Sequence, residues 1–362
     1  MGWINDELSR RKLPELLEGV KTAEDFMSRR KEIQKLLEEE EYGHFPPKPV
    51  NISFKETSSN SHFAAGHAVL STVEITSTFP DGQEFTFPVR CAVPKKGDDL
   101  PAFVHIAFTD LPVDKYMPTE EIIDNGFAVF AFCIDDVQTN DHLGDFSNGL
   151  GPILFPDGHR GPHGASKLTM WAWAAMRVMD YIETLKRIDK SSVAVMGHSR
   201  LGKTALIAGG WDERFQYVFS NDSGCGGAAL SRCKTGETLE FMSNVLWFWY
   251  DEKFLTYEGD PFAMPFDQHF LIALSAPRHV VIASASLDDW AHPAGEYLGA
   301  VAASPAWELF GKKGLVGPDR APEAGDTFYE GDVGYHCRDG VHFLSRYDWN
   351  HYMDYIRLHR GT

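Results

Sequence analysis

The sequence has no run of 18 consecutive apolar residues, so no segment reads as a membrane-spanning helix. It also lacks paired cysteines. Cys91, Cys133, Cys225, Cys233 and Cys337 are odd in number, widely spaced and without a CxxC pair, which excludes a zinc ribbon or a thioredoxin-like redox motif. They read as buried or incidental thiols. Positive charge is scarce: 34 Lys and Arg stand against 52 Asp and Glu, a net charge of −18. Such a surface repels phosphate backbones and anionic membranes, so neither nucleic acid nor a membrane is expected as a partner. The opening MGWINDELSRRKLPELLEGV has no apolar core and no small-residue cleavage site. It does not read as a signal peptide, and the expected location is cytoplasmic, or secreted if a leader has been trimmed.

What the chain does contain suits a large folded unit. Hydrophobic residues make up 43% of it, with 25 Phe and 9 Trp to fill a core. Residues 1–45 are charged and read as a helical lead-in packed on the main domain. Phe26, Ile33, Leu36 and Leu37 fall at helical spacing, with Thr22 as the N-cap. The run Glu38 to Glu41 reads as a solvated face. Residues 46–362 read as one domain. His67–Thr76 and Glu84–Val93 alternate around Pro80-Asp81-Gly82, a hairpin signal. Short apolar runs follow at Ala102–Phe108, Phe127–Cys133, Val193–Met196, Tyr217–Asn221, Val280–Ala285 and Val333–Cys337, with helical segments between them. The longest of these, Gly164–Lys186, carries an apolar stripe of Leu168, Trp171, Ala175, Val178, Met179 and Ile182. Strands alternating with helices predict a mostly parallel central sheet flanked by helices on both faces, an α/β fold. The stretch 233–278, rich in Trp and loop residues, reads as an insertion able to cover a pocket.

One segment points to chemistry. Val193-Ala-Val-Met-Gly197-His198-Ser199-Arg200-Leu201-Gly202 is a strand, a sharp turn and the start of a helix. Its form is G-x-S-x-x-G, near the nucleophile elbow G-x-S-x-G of the α/β-hydrolase fold. A serine on such a turn projects its hydroxyl above the sheet. The following helix start offers backbone N–H groups to a developing oxyanion, that of Arg200 first.

A serine nucleophile needs a general base oriented by a carboxylate. In this fold the chain order is Ser, acid, His. The last strand, Val333–Cys337, is followed by Arg338-Asp339-Gly340-Val341-His342, which makes His342 the preferred base, with His336 and His351 as alternatives. Asp288, just after Val280–Ala285, is the preferred acid. Asp222, at the end of Tyr217–Asn221, is the alternative, and Asp289 reads as a turn residue.

The segment Gly197-His-Ser-Arg-Leu-Gly-Lys-Thr-Ala-Leu206 resembles the nucleophile motif of the glucuronoyl esterases, carbohydrate esterase family 15, and their bacterial acetylxylan-esterase-like relatives. The likeness continues through Ser220-Asn-Asp-Ser-Gly-Cys-Gly-Gly-Ala-Ala-Leu230, Pro265-Phe-Asp-Gln-His269, Asp288-Asp-Trp-Ala-His-Pro293 and Arg338-Asp-Gly-Val-His342. It departs from the family pattern at Leu239–Trp249 and at His292-Pro293. The resemblance implies that Ser199 and His342 carry the chemistry, that the Arg200 side chain adds to the oxyanion site, that Lys203 and Trp290 bind the sugar, and that either Asp222 or Asp288 serves as acid.

The expected reaction is a two-step acyl transfer without metal or cofactor. The resemblance implies as substrate a small or oligosaccharide ester from the plant cell wall, a 4-O-methyl-glucuronate ester first. Acetate release from acetylated xylo-oligosaccharides is the alternative. A non-catalytic saccharide-binding protein on the same fold ranks lower because Ser, His and acid are all present. A serine peptidase or amidase, which uses the same triad, ranks lower because nothing in the sequence suggests an extra propeller or peptide-binding domain. The oligomeric state is not legible.

Overall fold

The computed structural model describes residues 2–110, 115–141 and 144–361. Ten strands form one sheet: β1 (Asn51–Phe63), β2 (Ala68–Thr78), β3 (Glu84–Pro94), β4 (Leu100–Ala107), β5 (Ala128–Cys133), β6 (Ile188–His198), β7 (Tyr217–Asn221), β8 (His279–Ala285), β9 (Thr327–Phe328) and β10 (Val333–Arg338). Their order is β1-β2-β3-β5-β4-β6-β7-β8-β10-β9. The run from β5 to β10 is parallel, while β1, β2, β3 and β9 pair antiparallel at the two edges.

The parallel strands are apolar on both faces because both faces are covered. Along β4, Ala102, Val104 and Ile106 enter one core and Phe103 the other. Val193 and Val195 of β6 part from Ala194 and Met196 in the same way, as do Val280 and Ile282 of β8 from Val281 and Ala283. The first core receives the helices Ala23–Leu37, Lys167–Glu183 and Arg200–Trp211. The second receives Ile122 and Ile123 from a short helix and Trp349, Tyr352, Met353 and Ile356 from the C-terminal helix Arg346–His359. This three-layer arrangement is the α/β-hydrolase architecture expected from the sequence.

All eight expected strand segments lie within the observed strands or overrun them by one residue at one end. The hairpin turn closes through Phe79 N donating to the Gln83 carbonyl at 2.8 Å. Strand β6 starts earlier than its apolar run, at Ile188, through the polar Asp189-Lys-Ser-Ser192. The long helix is trimmed to Lys167–Glu183, with Ser166 capping the Thr169 N–H. Two strands carry no apolar signal. β1 is a mostly exposed polar edge, and β9 is two residues long.

The lead-in helix forms as expected. Thr22 and Asp25 make a reciprocal capping box, and Phe26, Ile33 and Leu37 are fully buried. The expectation of a solvated acidic face at Glu38 to Glu41 is corrected by the structure. After Leu37 the helix widens into a π-helical turn, Glu38–Tyr42, that directs carboxylates inward. Glu38 accepts from Trp211 Nε1 at 2.7 Å, Glu40 from the Tyr257 hydroxyl at 2.6 Å, and buried Glu41 from Gln268 Nε2 at 2.8 Å. Glu39, paired at 3.7 Å with Lys35, remains at the surface.

Candidate active site

Because β6, β7, β8 and β10 are parallel, the segments that leave them gather at one edge of the sheet. Those segments carry Ser199, Asp222, Asp288 and His342. Ser199 has φ 59° and ψ −127°, a backbone conformation that costs a non-glycine residue about 1–3 kcal/mol. Three backbone bonds hold it there. Ser199 N donates to the Asn221 carbonyl at 2.8 Å, while Gly202 N and Lys203 N donate to the Ser199 carbonyl at 2.8 and 3.2 Å. Two glycines allow the turn to be this tight. A Cβ on Gly197 would run into the Leu201 carbonyl, and one on Gly202 would stand 3.0 Å from the Asn221 carbonyl oxygen. The helix Arg200–Trp211 starts at once, so its N-terminal end lies directly beside Ser199.

His342 Nδ1 lies 2.6 Å from Asp288 Oδ2. The carboxylate accepts, so Nδ1 carries the proton and Nε2 holds the lone pair. Asp288 is 3% exposed and also accepts from Ala291 N at 3.1 Å. Burial pushes its carboxyl up, but the bonds from His342 and Ala291 outweigh burial and hold it below the ordinary carboxylate value. Asp289 is an exposed turn residue.

Asp222 occupies a different environment. It sits at φ 46°, buried, and its Oδ2 is 3.4 Å from Arg338 Nη2 and 3.9 Å from His198 Nδ1. Its carboxylate comes within 4.8 Å of a ring nitrogen of His342, but no hydrogen bond joins them. Burial, then repulsion from Glu296, Asp288 and Asp348, raises its pKa well above the ordinary value against the pull of Arg338. The structure therefore couples Asp288, not Asp222, to His342.

The two alternative bases are otherwise engaged. His336 is fully buried, with Nε2 2.9 Å from Asp348 and Nδ1 2.7 Å from the Tyr329 hydroxyl. His351 lies on the C-terminal helix, stacked between Tyr347 at 4.3 Å and His336 at 4.9 Å. Neither ring is free to serve Ser199.

Arg200 is held by aromatic faces. Its guanidinium carbon is 5.4 Å from the Phe108 ring centre and 5.0 Å from that of Trp249. Trp249 is fixed in turn by its Nε1–H, which donates to Asn140 at 2.7 Å. Burial lowers the Arg200 pKa, opposed by Glu237 and Asp135. Lys203 is 1% exposed, and its Nζ donates to the Ser223 carbonyl at 2.6 Å and to Glu237 at 3.0 Å. Trp290 is 41% exposed and meets Phe241 edge-on at 4.7 Å. The 233–278 stretch thus supplies Glu237 and Trp249 to the Ser199 helix and Phe241 to Trp290.

Several residues of the site carry no signal of their own in the sequence. His198 packs its ring 4.5 Å from that of His342 and bonds Asn221 at 2.7 Å. Burial, with repulsion from His342, holds its pKa down to about 3, so it stays neutral. Arg338 binds Asp348 through Nε at 3.1 Å and also donates to the carbonyls of Val341 and Phe343, on either side of His342. Only their places in the blocks around Ser199 and His342 mark these residues.

Ser199 on its elbow and the His342–Asp288 pair stand at the carboxyl edge of a mostly parallel sheet, the places from which the α/β-hydrolase fold presents its nucleophile, base and acid. Comparison with known proteins narrows the class. The family described as glucuronyl esterase, fungi, matches residues 75–311, and the chain belongs to that family. It is 38% identical over 242 residues to the carbohydrate esterase MZ0003 of an unknown prokaryotic organism, covering 66% of this chain and 55% of that protein. It is 27% identical over 308 residues to the 4-O-methyl-glucuronoyl methylesterase of Hypocrea jecorina (strain QM6a), covering 82% of this chain and 61% of the relative. In both, the matched region is less than two thirds of the relative's length. The solved structure of a glucuronoyl esterase from Solibacter usitatus superposes with a TM-score of 0.87 at 31% identity, over 96% of this chain and 98% of that one.

Proposed function

We propose that the protein hydrolyses esters of a glucuronic acid by an acyl-enzyme route. The observation that carries the proposal is the 2.6 Å bond between His342 and Asp288, which leaves the lone pair of His342 as the base for Ser199. His342 takes the Ser199 hydroxyl proton as the oxygen attacks the ester carbonyl. The carbonyl oxygen becomes an oxyanion that the N–H and guanidinium of Arg200 stabilise. His342 then returns the proton to the departing alcohol, and water repeats the sequence to free the acid.

The sugar acid is assigned to the acyl side because polar and aromatic recognition groups crowd the Ser199 helix. The buried Lys203–Glu237 pair and the half-exposed Trp290 suit hydroxyl bonding and ring contact, for which an acetyl group has no need. Names of relatives agree: the Hypocrea jecorina protein is a 4-O-methyl-glucuronoyl methylesterase.

A paired assay tests the proposal: cleavage of benzyl glucuronate against acetate release from acetylated xylo-oligosaccharides. The glucuronate ester is expected to be the better substrate by kcat/KM, with activity lost by about 10⁴-fold or more in Ser199→Ala. Preference for the acetyl ester contradicts the substrate, and full activity in Ser199→Ala contradicts the mechanism.

A further inference from the structure

A second group of ligand-type side chains meets at the opposite edge of the sheet. His279 opens β8, Asp332 immediately precedes β10, and His359 ends the C-terminal helix. One ring nitrogen from each histidine and one oxygen of Asp332 lie within 4.8 Å of one another. His279 is 8% exposed, and its Nδ1 stands 3.2 Å from Asp332 Oδ1 without forming a hydrogen bond to any described group. The His279 ring is stacked on Tyr217 at 4.8 Å and 14°, which fixes its plane.

His359 is arranged as metal-bound histidines commonly are. Its Nε2 is 2.8 Å from the Tyr329 carbonyl, which can only accept, so Nε2 bears the proton and Nδ1 the lone pair. The rings of His279 and His359 are 4.9 Å apart. One group opposes an ion: Lys312 Nζ donates to Asp332 Oδ1 at 2.7 Å.

The geometry points to a binding site for a first-row divalent metal ion, zinc foremost, on His279, Asp332 and His359. Two imidazoles and one carboxylate match zinc better than magnesium or calcium, which take oxygen ligands. Ligands about 2.1 Å from one ion are at most about 4.2 Å apart, so the outermost atom must move in by under ~1 Å. The side chain of His359, in the last turn of its helix, can make that adjustment. The ion would clip the C-terminal helix to β8 and β10. Ser199 lies beyond the far ends of these strands, about 20 Å away at ~3.3 Å per residue, so the ion would add stability and take no part in the hydrolysis.

The test is titration of chelator-stripped full chain with zinc chloride, following bound zinc, the melting temperature and benzyl glucuronate cleavage. His198, Asp222 and His342 also lie within 4.8 Å of one another at the catalytic edge, so activity reports any binding there. Expected is one equivalent of zinc that raises the melting temperature, with magnesium chloride having no such effect. His279→Gln and His359→Gln should each weaken binding at least tenfold and remove the rise, with esterase activity in stripped protein unchanged. Lys312→Met should tighten binding. Zinc uptake that survives both histidine substitutions, or that only inhibits without stabilising, overturns the proposal.

Discussion

Arg338 Nη2 donates to the Val341 carbonyl at 2.6 Å, one residue before His342. The same guanidinium lies between the carboxylates of Asp222 and Asp348. The loop that carries the base is therefore fixed by a buried cation whose hydrogen-bond acceptors come from the segment after β7 and from the C-terminal helix.

Removing that cation should loosen the base and leave those acceptors unpaired. Arg338→Met is expected to lower kcat more than it raises KM, and to cost about 3 kcal/mol or more in stability, because Asp222 and Asp348 lose a buried partner. Adding Asp222→Asn should recover part of the stability. Denaturant melts of the single and double variants check the coupling. Equal stability of the two would show that Asp222 and Arg338 do not interact.

Trp249 should matter through Arg200. A cation–π contact of this kind is worth about 1–2 kcal/mol when desolvated, so Trp249→Leu should cost roughly 5- to 30-fold in kcat, with little change in KM. Steady-state kinetics on benzyl glucuronate separate the two parameters. A pure KM effect would place Trp249 on the substrate instead of on Arg200.

Glu41 gives the stability a definite pH dependence. Burial pushes its carboxyl up to about 8 in the folded chain, against hydrogen bonds from Gln268 and Tyr42, while the ordinary value is 4.5. The folded state therefore holds a proton that the unfolded chain releases, and stability falls as pH rises from 4.5 through 8. Glu296, pushed up to about 7 by burial, adds to the slope below pH 7. Glu41→Gln should remove up to one proton's limiting slope, about 1.4 kcal/mol per pH unit, from the decline between about pH 5.5 and 7, and flatten what remains between pH 7 and 8. Urea melts at several pH values measure it, and an unchanged slope would contradict the assignment.

The features read correctly from the sequence were those with a strong local cause. β4, β5, β7, β8 and β10 are buried on both faces, so each shows as a short run dominated by apolar residues, unbroken only in β5. Gly197-His-Ser199 and the helix after it mark the elbow because only a glycine fits beside the Leu201 carbonyl. The rest depended on contacts distant in the chain. Strand β1 is a polar edge with no apolar alternation, and β9 is too short to carry a pattern. Glu38, Glu40 and Glu41 turn inward to partners 173 to 227 residues away, which no local charge pattern announces. The sequence left Asp222 and Asp288 as rivals because each follows a strand; Arg338, 116 residues from Asp222, occupies one of them.

The most direct test of the catalytic assignment compares Asp288→Asn and Asp222→Asn by kcat/KM on benzyl glucuronate. The 2.6 Å bond predicts that Asp288→Asn loses about 10³- to 10⁴-fold, because an amide no longer holds His342 in the tautomer that leaves its lone pair for Ser199. Asp222→Asn should lose less than about tenfold, since its carboxylate is held by Arg338. The reverse order, with Asp222→Asn the crippled variant and Asp288→Asn nearly intact, would contradict the Ser199–His342–Asp288 arrangement.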